Sequence, residues 1–74
     1  MKDISLLKPK EVEKILLKNG FYIKRQTGSH RIYHNNELNA IVVVPFHSKD
    51  IPKGTLGNII KQSKLYYKHF KKSR

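Results

Sequence analysis

The sequence predicts a two-layer α+β fold, with two helices packed on one face of a three-stranded antiparallel sheet. Three observations lead there: an apolar stripe at helical spacing from Pro9 to Gly20, three short β-prone runs between Phe21 and Val44, and a second helical stripe after Pro52. In the first stripe Pro9 suits the opening position of a helix, and Val12, Ile15 and Leu16 recur on one face until Lys18-Asn19-Gly20, where Gly20 supplies the stop. Glu11 and Glu13 fall in its first turn, with Lys14 and Lys18 behind them, a distribution that suits the helix dipole.

The β-prone runs are Phe21 to Gln26, His30 to His34 and Ala40 to Val44. The connections Thr27-Gly28-Ser29 and Asn35-Asn36-Glu37-Leu38-Asn39 are short enough for hairpins, so the sheet is expected to be a meander. Phe21 and Ile23 are expected to share one face of the first strand. In the third strand either Ile41 and Val43 or Val42 and Val44 face inward, because all four are apolar. A loop over Pro45 to Asp50 precedes a second helix opened by Pro52 or Thr55 and carrying Leu56, Ile59 and Ile60. Gly57 inside it costs about 1 kcal/mol against alanine, so it marks either close packing or a tolerated weakness. Ile59, Ser63, Tyr66 and Phe70 continue one stripe, which allows a helix running on to Lys71 or a bend near Gln62-Ser63-Lys64 into a short third helix. The end, Lys71 to Arg74, is expected to be frayed and solvated.

Composition narrows the chemistry. Seventy-four residues leave room for one domain, expected to span 1–74, and a chain of that length buries only about 60% of its unfolded surface, which argues against a deep cofactor pocket. No cofactor is expected. There is no Cys, which excludes disulfides, zinc-thiolate sites and iron-sulfur clusters. The first residues, Met1 to Leu7, are too short and broken for a secretory leader, and no run approaches the roughly 18 apolar residues that span a bilayer. A cytoplasmic protein is expected. Against 5 acidic residues stand 16 Lys and Arg, a formal charge of +11, so a polyanion is the expected partner and nucleic acid the first of these. Solubility alone also explains excess charge, but an anionic membrane fits poorly because the basic residues form no amphipathic helix.

The catalytic inventory is small. Asp3, Glu11, Glu13, Glu37 and Asp50 fall on a tail, the outer face of a helix, a hairpin and a loop, so they do not converge into a two-metal nuclease site. His30 and His34 lie four apart on one strand, about 13 Å at roughly 3.3 Å per residue, too far to share a zinc ion. No metal is expected. Without Cys, and with no Ser, His and acid in a recognisable arrangement, a nucleophilic triad is also unsupported. Histidine acting alone remains: imidazole can take the proton of a ribose 2′-hydroxyl, whose oxygen then attacks the adjacent phosphorus, a route only RNA offers.

Among the four histidines His30 has the most informative setting. Gly28 and Ser29 precede it, and Gly28 lets a phosphate backbone approach. Lys24, Arg25 and Arg31 are its cationic neighbours in sequence, expected to favour the neutral ring and to stabilise charge on a phosphorane. An ordinary hairpin explains the same spacing. His47, in the loop after the third strand, is expected either to bind phosphate or act as a second acid-base group, or to be merely exposed. His34 and His69 read as structural or solvated. Tyr22 and Tyr33 stack on bases if they face outward, although strand aromatics are commonly packing residues. Lys53-Gly54-Thr55 either holds a phosphate on free backbone donors or caps the helix.

Together, Lys18-Asn19-Gly20-Phe21, Gly28-Ser29-His30-Arg31-Ile32-Tyr33, Val44-Pro45-Phe46-His47 and Ile51-Pro52-Lys53-Gly54-Thr55-Leu56-Gly57-Asn58-Ile59-Ile60-Lys61-Gln62 resemble the HicA, or YcfA-like, family of mRNA interferase toxins, over about residues 8–63. The resemblance implies a double-stranded-RNA-binding-domain-like fold in the order α1-β1-β2-β3-α2, and residues 64–74 as a basic, aromatic extension. It implies a toxin of a type II toxin-antitoxin system, a metal-independent endoribonuclease that cleaves mRNA and inhibits translation, with His30 as its catalytic histidine. It also implies a HicB-type antitoxin that covers that histidine in a hetero-oligomer. Gly28 and Ser29 carry over as the presenting turn and His47 as the histidine of the Pro-x-His pattern. Ser63-Lys64 departs from the Ala-Gly that often ends the second helix in relatives. Two other functions fit the same residues: a non-catalytic RNA-binding module, and a degenerate toxin that only binds antitoxin.

Overall fold

The computed structural model describes residues 7–47 and 49–70, apart from the side chain of Tyr67. The expectation for Lys71 to Arg74 lies outside the described residues. Helix α1 spans Pro9–Lys18, strand β1 Tyr22–Thr27, β2 His30–Asn35, β3 Ala40–Pro45 and helix α2 Lys53–Ser63, followed by a short 3-10 helix at Tyr67–Phe70. The three strands form one antiparallel sheet in the order β1-β2-β3. The α+β order is the expected one.

Helix α1 opens on Pro9, and the Glu11 carboxylate accepts the Lys8 backbone N–H at 2.8 Å, so one free donor of the first turn is satisfied. At the other end the Asn19 amide donates to Ile15 O at 2.8 Å. The chain then turns through Gly20 at φ +92°, where a Cβ would lie 3.2 Å from the Asn35 amide nitrogen. Asn35, buried on β2, uses both ends of its amide: Nδ2 donates to Asn19 O at 3.1 Å and Oδ1 accepts Leu38 N–H at 2.9 Å. One side chain therefore ties the end of α1 to the β2–β3 turn.

The core lies between the sheet and the helices. Val12 and Leu16 of α1, Leu56 and Ile59 of α2, Tyr33 of β2 and Val42 and Val44 of β3 are all buried. The parity left open for β3 is thus resolved toward Val42 and Val44, while Ile41 and Val43 are 56% and 40% exposed. The cause is pairing: Val42 lies opposite Tyr33 and Ala40 opposite Asn35, the β2 residues turned toward the helices. Strand β1 is the least covered of the three. Phe21 is buried just before it, but Ile23 is 43% exposed and every residue of β1 is exposed. The helices cover β2 and β3, with α2 against β3, and leave β1 as an open edge. Its pairing slips between Ile23 and Arg25, a bulge that places Lys24 as the extra residue and guards the edge.

Helix α2 stops at Lys64, which adopts a left-handed conformation at φ +62°. Ser63, buried, donates to Ile60 O at 2.7 Å and accepts Leu65 N–H at 3.0 Å, so the chain bends there and does not continue as one helix. The 3-10 helix that follows packs near α1 and buries Phe70, so the chain beyond residue 63 adds to the core. A Cβ at Gly57 would meet nothing within 4 Å, which makes that glycine a tolerated weakness. Gly57→Ala is expected to stabilise the fold by about 0.5–1 kcal/mol, read as a thermal midpoint raised by a few degrees; an unchanged or lower midpoint would contradict this. No helix among the described residues is long and apolar enough to cross a membrane.

Candidate active site

Strand alternation decides which of the expected site residues meet. In β2, Arg31, Tyr33 and Asn35 point toward the helices, so His30, Ile32 and His34 point to the opposite, uncovered face. Thr27 pairs with His30, and Arg25 with Ile32, so Arg25 shares that face as a diagonal neighbour of His30, roughly 7–8 Å away along the backbone. The signal for this pairing was already present in the two-residue loop Gly28-Ser29, which sets the register of the hairpin and makes Thr27 the partner of His30. Gly28 sits at φ +53°, the left-handed region that the first position of such a loop requires, and a Cβ there would meet nothing within 4 Å. Open space therefore lies beside Gly28 in the turn that leads into His30.

His30 is exposed, and among the described residues its ring has no hydrogen-bond partner. No described carboxylate shares its strand end. Glu11 caps α1, Asp50 pairs with Lys8 at 3.1 Å, Glu13 is held on the helix side, and Glu37 lies in the turn at the far end of β2. Lys24 is exposed at the bulge of β1. Among the described residues no group of three His, Cys, Asp or Glu is placed to hold a metal ion.

Arg31 does not join His30. Its guanidinium donates to Glu13 at 2.8 Å through Nη1 and to Gln26 at 3.1 Å through Nε, and it lies 3.9 Å above the Phe46 ring. Tyr33 donates its hydroxyl to the same Glu13 oxygen at 2.8 Å. The hydrogen bond to Glu13 raises the Arg31 pKa above its ordinary value, and burial followed by Glu13 raises that of Tyr33. Both therefore stay protonated as donors to one carboxylate. Sequence reading missed this network because Glu13 and Arg31 are 18 residues apart, although neighbours on a strand always face opposite ways.

His47 follows the end of β3. The ladder runs one step beyond β3, where Phe46 N–H donates to Ser29 O, and His47 then lines a shallow groove with Lys8, Pro9, Lys10 and Phe46. His30 and His47 thus lie near one turn, with His47 beside the start of α1. At α2 the first turn has no side-chain cap, so Thr55 does not cap it, and Lys53 and Gly54 are exposed.

What this arrangement offers is an accessible imidazole that shares a sheet face with an arginine and follows a glycine turn, on a strongly basic chain. The family model described as the HicA toxin of bacterial toxin-antitoxin systems matches residues 9–65, from the first residue of α1 to two residues past α2. The chain belongs to the HicA toxin family. Membership gives this HicA chain the role of a toxin and implies a partner antitoxin. The matched span holds all three strands and both His30 and His47. No match among curated proteins was found.

Proposed function

We propose that this HicA chain is an endoribonuclease that cuts mRNA without a metal ion, blocks translation, and uses His30 as its catalytic histidine. The observation that carries the reading is the His30 ring, exposed on the uncovered sheet face with no hydrogen-bond partner among the described residues and with Arg25 on the same face. An imidazole so placed is free to meet a ribose. His30 removes the proton from a 2′-hydroxyl; the oxygen attacks the neighbouring phosphorus, the bond to the 5′ oxygen breaks, and that oxygen leaves with a proton from water. Arg25 and Lys24 hold the phosphate and offset charge that builds on it, and Gly28 and Ser29 let the backbone approach. Arg31 serves the fold, since Glu13 already holds it. His47 is a phosphate contact at the edge of the site. A HicB-type antitoxin silences the toxin by covering His30, and the substrate places the action in the cytoplasm.

The products test this. RNA incubated in EDTA is expected to yield fragments ending in a 2′,3′-cyclic phosphate and a 5′-hydroxyl, while DNA of the same sequence stays whole because it lacks the attacking group. Loss of cleavage in EDTA, or cleavage of the DNA, would contradict the mechanism. RNA binding with no cut product would favour a non-catalytic module.

A further inference from the structure

The face that carries His30 holds more than the catalytic group. At the far end of β2 from His30, the Tyr22 and His34 rings form a cross-strand pair with centroids 6.1 Å apart and planes at 52°. Tyr22 is 40% exposed, and its hydroxyl reaches only a long contact of 3.4 Å to Asn36. Neither ring is packed beneath a helix, so their flat sides serve no core. Arg25 lies between this pair and His30 on the same face, and no described carboxylate is on it. Along β2 the step from His34 to His30 is about 13 Å.

We propose that the uncovered sheet face binds single-stranded RNA, with Tyr22 and His34 stacking on a base of the strand whose phosphate His30 attacks. The inference rests on the endoribonuclease reading and adds the form of RNA and the residues that hold it. An exposed tyrosine paired with a half-buried histidine ring on an uncovered sheet face, a cation between them and the reacting group, and a chain of charge +11 are what an unpaired strand needs: a stacking platform and a path for its phosphates. A duplex keeps its bases stacked inside and presents only backbone and groove to such a face. Ile41 and Val43, exposed on the β3 side, would suit an apolar protein surface instead. The rings and Arg25 favour RNA, and a protein occupant is left as an outcome of the test.

The test uses the full chain with His30→Ala, in which cleavage is expected to be too slow to interfere, and reads the affinity for a short labelled single-stranded RNA and for the matching duplex at fixed salt. Adding Tyr22→Ala and His34→Ala is expected to weaken single-strand binding by about tenfold or more while leaving duplex binding within about twofold. Tyr22→Phe is expected to keep the affinity. Because the chain has no Trp, Tyr22→Trp in the same host is a single reporter, expected to be quenched by single-stranded RNA. If the alanine pair fails to fold by circular dichroism, that quenching decides alone. Single-strand affinity unchanged in the alanine pair, equal loss for strand and duplex, or an unquenched reporter would overturn the proposal. So would loss of antitoxin binding with RNA binding intact, which would assign the face to protein. The endoribonuclease reading fails separately: a chain retaining His30 that makes no cut refutes it, whatever the stacking variants bind.

Discussion

His30→Ala is expected to reduce RNA cleavage by a factor of about 10²–10⁴, the usual contribution of a positioned proton-transfer group, and to relieve growth arrest on expression. The fold should not notice. The ring is exposed and has no hydrogen-bond partner among the described residues, so its removal falls in the class of surface changes worth about 0.5 kcal/mol or less. Chemistry and stability are thereby separable at this position. Gel-resolved cleavage and a thermal melt of the same preparation check both halves: a variant that cuts as well as the parent would remove His30 from the mechanism, and a melt lowered by many degrees would make it a structural residue.

Tyr33→Ala is expected to do the reverse and cost about 3–5 kcal/mol, a large part of the roughly 4–11 kcal/mol available to a domain of this length. Its ring is fully buried at the centre of the sheet, and its hydroxyl shares the Glu13 carboxylate with Arg31. Truncation therefore opens a cavity and also removes one donor from a partly buried acid. Tyr33→Phe separates these effects, keeping the ring and losing only the hydrogen bond, for about 1–2 kcal/mol. The two variants also differ from the parent in alkali. Burial, and then Glu13, raise the Tyr33 pKa in the folded state above its usual value of 10.0. Its contribution is complete below that value and is lost as pH rises through the folded-state pKa, because the unfolded chain releases the proton first. Urea unfolding between neutral and strongly alkaline pH is expected to show this decline in the parent and a shallower one in Tyr33→Phe; identical slopes would contradict it.

Much of the fold was legible because each element carries its own punctuation: Pro9 and Gly20 bound α1, Gly28-Ser29 makes the first hairpin, and Pro52 precedes α2. The face of β3 was not legible, since Ile41, Val42, Val43 and Val44 are equally apolar and only their pairing with β2 tells them apart. The exposure of Ile23 was not legible for a related reason. Strand periodicity says which residues share a face but not whether a helix reaches far enough to cover it, and here the helices stop at β2. At the candidate site, His30 and Arg25 share one face of the sheet as cross-strand geometry requires, whereas Arg31 was grouped with them by sequence proximity and belongs to the other side of the sheet. The Glu13 network that claims it joins a helix to a strand, a tertiary contact that no local pattern encodes. Lys64 carries a left-handed turn that glycine usually fills, so the bend after α2 had only half of its usual signal.

The central claim is that His30 carries out proton transfer in RNA cleavage. The pH dependence of single-turnover RNA cleavage in EDTA tests it most directly. The parent's rate is expected to change with pH, and His30→Ala is expected to lose that change along with most of the rate. A flat profile for the parent, or the same profile surviving in His30→Ala, would contradict the claim.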